Sequence, residues 1–469
     1  MKNHLPWIGL LCAGCSTPTT PPVQMQPPPL SVAQVAPLRL EQPDGPQPRT
    51  VVVISDLHFG LGSKNAGDAG AAGWDAYEDF RWSREWAEFL QHIDREGQQA
   101  GTATDLILNG DAFELWQSRT GDCKSRDNEQ GCSASESLAR VQRVIAAHTE
   151  DLRRLGAFAM SGDNRVVIVP GNHDAALLFP VVASAVQQAT GAAPERLSIT
   201  PTGYWVSRDR RIYTDHGHQI GLDPNGFHNW PTPFRERDGQ YYLSRPWGEQ
   251  FMQAFYNAYE DRYPIIDNIA AERDAVRFAI VREGPLGLVQ AVGKFVGFTL
   301  LKTSWNQRID IARLQSPSQP DPTDNKQGDN KTGDGRTREQ VFGSYLAHVL
   351  ATLQSQQVAN RPMDLYVFSH THGLDRGFEF ASSSPSGKTR VVNSGAWQRV
   401  VSADWLRAEQ ARRGLPERET LVGIQLEDLP ACYGMVRVKP YAINAEPQAE
   451  VLYYHAAPGV SGHFSPTCP

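Results

Sequence analysis

Five short apolar runs, each leading to a carboxylate, an amide or a histidine, constrain the fold of this chain more than any other feature. Val51-Val52-Val53-Ile54 is followed by Ser55-Asp56-Leu57-His58. Leu106-Ile107-Leu108 leads to Asn109-Gly110-Asp111, and Val166-Val167-Ile168-Val169 leads to Pro170-Gly171-Asn172-His173-Asp174. Ile212-Tyr213 passes through Thr214-Asp215 to His216-Gly217-His218, and Leu365-Tyr366-Val367-Phe368 passes through Ser369 to His370-Thr371-His372. Continuous runs rich in β-branched residues suit strands buried on both faces. Helical stretches lie between several of them, at Trp82 to Ile93 and Ala139 to Leu155. Strands alternating with helices predict an α/β sandwich, with the reactive groups collected on one rim beyond the carboxyl ends of the strands. Later strand-like pieces at Arg390 to Val392, Thr420 to Leu426, Met435 to Val438 and Val451 to Tyr454 predict a second sheet or an antiparallel extension.

The residue types at these strand ends are metal donors. In an extended segment, residues two apart point the same way, so Asp56 and His58 could grip one ion with an oxygen and a nitrogen. Gly110 lets the backbone turn tightly, and the two oxygens of Asp111 could bridge two ions. Asn172 offers a neutral oxygen, and His173 points into the same space. Each piece alone says little, since a His-x-His is expected by chance in a chain with 13 histidines. Five such pieces in this order, each after an apolar strand, carry the signal.

The pieces Asp56-x-His58, Gly110-Asp111, Gly171-Asn172-His173-Asp174, His216 and His370-x-His372 resemble the calcineurin-like metallophosphoesterase family. The resemblance covers roughly residues 50 to 220 and 360 to 400, with Asn393-Ser394-Gly395-Ala396-Trp397 similar to the strand and turn after the last histidines. It implies a four-layer α/β/β/α sandwich and two metal sites. Asp56, His58 and His372 would bind one ion, Asn172, His216 and His370 the other, and Asp111 would bridge them. His173 would stabilise or protonate the leaving oxygen. Asp174 is placed either to hold the His173 tautomer or to cap a helix. His218 would touch phosphate or be a polar neighbour of His216. The sequence departs from the family at Ser369, where glycine is usual. It also lacks the tyrosine that serves purple acid phosphatases as an iron ligand. Asp111-x-Phe113-Glu114-x-Trp116 resembles a turn in the pyrophosphohydrolases of lipid A synthesis. Those act in the cytoplasm, so an exported chain would do something else.

The expected chemistry is hydrolysis of a phosphate ester, a reaction that is extremely slow unaided. Two ions about 3.5–4 Å apart can clamp a phosphate and activate a water. Two divalent or trivalent ions are expected, and mixed oxygen and nitrogen donors suit Mn, Fe, Zn, Co or Ni. A phosphatase or phosphodiesterase is the expected activity. A surface lipoprotein that binds a phosphate ligand on this scaffold with little catalysis is the alternative.

The remaining segments set the organisation. Residues 49–220 hold the first part of the core and residues 351–469 the second, with C-terminal strands. Residues 221–350 form an insertion expected to be mainly helical, with helices at Trp247 to Tyr263, Ile265 to Glu283 and Leu286 to Leu301 and a flexible loop at 315–338. Trp230 and Trp247 would line a cap or be core, and Gly60 to Arg84 would rim the substrate or be an ordinary surface loop. With Lys+Arg 45 against Asp+Glu 52 and no basic tract, nothing argues for a specific nucleic-acid partner, and a phosphorylated substrate is the expected one.

The first 15 residues carry one Lys, an apolar run too short to span a bilayer, and Leu11-Cys12-Ala13-Gly14-Cys15. This is similar to a bacterial lipoprotein cleavage site, with lipid on Cys15 as the membrane contact. A plain secretory signal or a disordered tail are the other readings. Residues 16–48, rich in Pro, Gln, Thr and Ser, read as an extended linker. An exported protein, periplasmic or at the cell surface, is expected. Cys123 and Cys132 flank a polar loop that a disulfide could close, and Cys432 and Cys468 could form a second; four free thiols remain the alternative.

Overall fold

The structure is a computed structural model that describes residues 45–63, 73–75, 77–117, 123, 129–221, 224–253, 257, 265, 268–269, 336–416, 419–420, 423–456, 459 and 461–468. The expected signal and linker, the helices predicted from Ile265 to Leu301, and the loop 315–335 lie outside or almost wholly outside these residues.

The elements follow in order as β1 (Thr50–Ile54), α1 (Ser83–Ala100), β2 (Thr104–Asn109), β3 (Gln130–Ser133), α2 (Ala134–Ala147), α3 (Thr149–Met160), β4 (Arg165–Val169), α4 (Pro180–Thr190), β5 (Leu197–Ile199), β6 (Tyr204–Val206) and β7 (Ile212–Asp215). Then come β8 (Phe234–Arg237), β9 (Gln240–Ser244), α5 (Trp247–Phe251), α6 (Arg338–Ser355), β10 (Leu365–Phe368), β11 (Leu374–Ala381), β12 (Lys388–Ser394), α7 (Ala403–Arg413), β13 (Cys432–Val438), β14 (Ala449–His455) and β15 (His463–Ser465). One sheet runs β15-β14-β13-β1-β2-β4-β5, and a second runs β11-β12-β10-β7-β6. Within them β1/β2, β2/β4, β4/β5, β10/β7 and β10/β12 are parallel, so their carboxyl ends share a side of each sheet.

Alternation along the strands builds the layers. Val51 and Val53 of β1 pack with Ile107, Val169, Ile212, Leu365 and Val367 between the two sheets. Val52 and Ile54 point the other way, with Leu106 and Leu108, against α1, α2, α3 and α4. On the second sheet, Tyr213, Tyr366 and Phe368 face Val341, Phe342, Val349 and Leu353 of α6. Strands buried on both faces cannot alternate apolar and polar residues, which is why these runs read as continuous. The result is the expected α/β/β/α sandwich. Among the described residues no helix is long and apolar enough to cross a membrane.

Several elements differ from expectation. Ala139 to Leu155 is not one helix: α2 and α3 break at His148, which leaves helical geometry at φ −115°. Its ring lies between Glu78, at 3.1 Å, and Asp151, at 3.4 Å, so a long-range ion pair fixes the break. The described residues within Thr420 to Leu426 hold no strand; Ile424 and Leu426 instead bury their side chains in the helical layer beside the first sheet. Within 221–350, the described portion begins with a hairpin rather than a helix. Its turn is Asp238-Gly239, both at positive φ (54° and 74°), the arrangement that two-residue hairpin loops favour. The hairpin pairs with β3 to form a small third sheet. Of the helix predicted at Trp247 to Tyr263, α5 covers Trp247–Phe251. Residues 338–350, assigned to the insertion by sequence, belong to α6 and pack on the second sheet. Both expected disulfides are present, Cys123–Cys132 and Cys432–Cys468.

Candidate metal centre

The loops beyond β1 and β2 run side by side. Asp56 N donates to Gly110 O at 3.1 Å and His58 N to Asp111 O at 3.0 Å, continuing the parallel pairing past the strand ends. Convergence of the donors does not come from strand pleat, as the sequence suggested. Asp56, His58, Asp111, His370 and His372 all have positive φ, between 50° and 72°. This left-handed geometry costs a non-glycine residue about 1–2 kcal/mol. Asp and His tolerate it better than most residues, and such strain concentrates at functional sites.

Two glycines make room. A Cβ on Gly110, itself at φ 91°, would strike the His216 ring, and a Cβ on Gly171 would strike the Asp111 carboxylate. Ser369, where the resemblance leads one to expect glycine, fits because its hydroxyl is used: Asn109 Nδ2 lies 2.8 Å from Oγ, and Ser394 Oγ lies at the same distance.

The predicted donors gather into two groups, and His58 forms a third with Glu114 and His173. Ligand atoms of Asp56, His58 and His372 lie within 4.8 Å of one another, as do those of Asp111, His216 and His370. Asp56 Oδ1 is 3.3 Å from His372 Nε2 and 3.9 Å from His216 Nε2, so the groups adjoin. Asp111 Oδ2 is 2.9 Å from His216 Nε2. Asn172 is fully buried, and neither its amide oxygen nor its nitrogen has a hydrogen-bond partner. The Asp56 carboxylate is also fully buried and accepts no well-aligned hydrogen bond. Leaving such groups uncompensated is costly, and a cation is the partner that carboxylate, amide oxygen and imidazole can share. The residues present therefore fit a pair of metal ions.

Electrostatics agree with this arrangement. Burial pushes the Asp56 and Asp111 carboxyls up, but His216 beside both, joined by His372 at Asp56 and by His173 and His58 at Asp111, outweighs it and holds them below the usual carboxylate range. Burial lowers His216, and Asp111 and Asp56 overcome it, raising that imidazole to about 9. Protons and metal ions thus compete for the same nitrogens.

The neighbouring hydrogen bonds correct one assignment. Asp174 does not hold His173, nor does its side chain cap the following turn. Its carboxylate accepts from the backbone N–H of Gly171 at 2.6 Å, Ala112 at 2.8 Å and Phe113 at 3.2 Å, clamping the loops after β2 and β4 together. Burial, then the Asp111 charge, raise this carboxyl to about 7. The residue that holds His173 is Glu114. Its Oε2 lies 2.6 Å from His173 Nδ1 and 3.0 Å from His58 Nδ1, and its Oε1 accepts from Trp116 N and Gln117 N. A carboxylate only accepts, so both Nδ1 atoms carry hydrogen and both rings turn Nε2 away from Glu114. The signal for Glu114 lay in the Asp111-x-Phe113-Glu114 turn, but nothing local says which histidine it meets.

The other candidates fall as follows. His218 is buried against the Trp230 face, with ring centroids 4.4 Å apart, and both its nitrogens lack hydrogen-bond partners. Burial, then His216, hold it well below the ordinary imidazole range. Trp74 takes the Arg81 guanidinium over its ring at 5.6 Å, and Trp247 stacks on Phe251. Lys64 lies outside the described residues.

No curated protein matches the chain. The family model described as calcineurin-like phosphoesterase matches residues 49–275. That stretch contains Asp56, His58, Asp111, Asn172, His173 and His216, whereas His370 and His372 follow the strand β10 beyond it. Over residues 49–275 the chain is thus similar to calcineurin-like phosphoesterases.

Proposed function

We propose that the chain is a phosphatase or phosphodiesterase that works outside the cytoplasm with two metal ions. Asp56, His58 and His372 would hold one ion, and Asn172, His216 and His370 the other, with Asp111 between them. The ions would supply Lewis-acid charge on the phosphate and an activated water. The observation that carries this reading is the buried, unpartnered Asn172 amide beside two adjoining three-donor groups. His173, its Nδ1–H held by Glu114, would as the imidazolium give its Nε2 proton to the leaving oxygen and be left neutral. Asp174 contributes by fixing the two loops that carry Asp111 and Asn172. Mn, Fe, Zn, Co or Ni suit this donor set.

Export through a lipid-modified Cys15 is part of the same proposal. The two disulfides support it, because such bonds persist in oxidising compartments. Fractionation of cells producing the full chain and a Cys15→Ala variant checks it: the native chain stays with membranes and the variant is released.

Metal content by mass spectrometry and hydrolysis of p-nitrophenyl phosphate and its bis-ester test the centre. The wild type is expected to carry close to two ions and to turn over at least one ester with Mn. Asp111→Asn should lose at least one ion and drop turnover about 100-fold or more. Equal, near-zero rates for both proteins across several metals favour the alternative, a phosphate-binding protein with little catalysis.

A further inference from the structure

Each of the two predicted donor groups takes residues from both large sheets. Asp56 and His58 follow β1 of the first sheet and meet His372, which follows β10 of the second. Asp111 follows β2 of the first sheet and meets His216 and His370, which follow β7 and β10 of the second. Between the sheets lie apolar side chains such as Val53, Ile107, Ile212 and Val367. Burial of such surface is non-directional, so it holds the sheets together without fixing how one sits along the other. Hydrogen bonds do fix it, because they weaken steeply when bent.

Asn109, the last residue of β2 and fully buried, makes such bonds across the gap. Its Nδ2 donates to Asp215 O at 2.5 Å, one residue ahead of His216, and to Ser369 Oγ at 2.8 Å, one residue ahead of His370. Its backbone carbonyl accepts from His216 Nδ1 at 2.9 Å, which turns Nε2 of that ring toward Asp111. The orientation of the amide is forced: Asp215 O only accepts, so nitrogen must face it. That choice sets the direction of a longer chain. Ser369 accepts from Asn109 and donates to Ser394 Oγ at 2.8 Å; Ser394 donates to Ser55 Oγ at 3.0 Å, and Ser55 donates to Gly395 O at 2.7 Å. All three serines are fully buried, and Ser55 stands one residue ahead of Asp56. The Asn109 amide oxygen, by contrast, is buried with no hydrogen-bond partner. A leucine of similar size would fill the space without that cost, so what the position uses is the pair of amide hydrogens.

We propose that Asn109 is a positioning residue for the ion held by Asp111, Asn172, His216 and His370: its two amide hydrogens hold the backbone ahead of His216 and the side chain ahead of His370 against the loop that bears Asp111. The proposal rests on the two-ion reading given above. Without the amide the apolar interface still closes, but the donors from β2, β7 and β10 lose their common register. The ion held by Asp56, His58 and His372 depends less on these two bonds.

The full chain, stripped of metal by chelation, is titrated with Mn by calorimetry and followed by electron paramagnetic resonance, with urea titration alongside. The wild type is expected to bind two ions and to show the spectrum of an exchange-coupled Mn pair. Asn109→Ala should weaken one ion about tenfold or more and the other by no more than about threefold. At equal Mn concentration its spectrum should be chiefly that of single ions. Ser369→Ala removes the acceptor of one amide hydrogen and should weaken the same ion by a smaller factor; it carries the test if Asn109→Ala does not fold. Two-ion affinities and coupling unchanged in the folded variants, even with lower urea stability, overturn the proposal, as does a loss shared equally by both ions. A wild type that takes up no pair of ions overturns the two-ion reading itself, and this proposal with it.

Discussion

Glu114 connects a candidate metal ligand, His58, to the candidate acid, His173, through one carboxylate oxygen. Burial alone would push this carboxyl up; His173, then His58, overturn that and keep it far below the ordinary range, so it remains an acceptor at neutral pH. Glu114→Gln keeps one acceptor oxygen, which can serve either the two imidazoles or the Trp116 and Gln117 N–H groups but not both. It is expected to lower kcat about 10–100-fold, the usual cost of losing the partner that orients such a group. KM should change less than threefold, and Glu114→Asp should recover part of the rate. Asp174→Ala is expected to behave differently, because it removes the acceptor of three backbone N–H groups. A fall of about 2–3 kcal/mol in unfolding free energy by urea titration would match that clamp role. A rate loss with unchanged stability would return Asp174 to the role that sequence reading assigned it.

At the scale of elements, the break between α2 and α3 depends on charge. His148 faces Glu78 from the loop after β1 and Asp151 from its own side, with Arg154 on the other Asp151 oxygen and the Phe59 and Phe80 rings against the imidazole. Burial lowers this imidazole, but the two carboxylates outweigh it and raise it to about 9. The folded value lies above the unfolded one, near 6.5. Its contribution is therefore full below about pH 6.5 and is lost as pH rises through 9. A shift of this size corresponds to about 3 kcal/mol. Wild type should lose more stability than His148→Gln between pH 7 and 9.5 in urea titrations. Parallel curves for the two proteins would show that the ion pair does not hold the break.

For the whole molecule, the Cys432–Cys468 bond ties β13, in the middle of the first sheet, to the chain beyond its edge strand β15. The bond closes a 36-residue separation. Restricting an unfolded loop of that length is worth about 4 kcal/mol. Reduction, or a Cys432→Ser/Cys468→Ser pair, should lower the melting temperature by about 5 °C or more while leaving metal content unchanged. Neither cysteine is among the candidate donors, and β1 stands between β13 and β2 in the sheet.

Strand runs and donor residues were legible in the chain because both are local. A strand buried on two faces must be continuously apolar, and a donor must be Asp, Asn or His whatever surrounds it. Thus β1, β2, β4, β7 and β10 and the positions of Asp56, His58, Asp111, Asn172, His216, His370 and His372 could be read from neighbouring residues. The partners of those residues could not. Glu114 meets His173 across 59 positions, and Glu78 meets His148 across 70. Such pairs exist only once parallel strand register has set two loops side by side. The Asp238-Gly239 hairpin had a local turn signal, but its partner β3 lies about a hundred residues earlier, and that pairing exists only in the folded chain. The sequence by itself determined which residues offer metal-donor atoms; tertiary structure decided which carboxylate meets His173, because hydrogen-bond partners come from segments that only the packed sheets bring together.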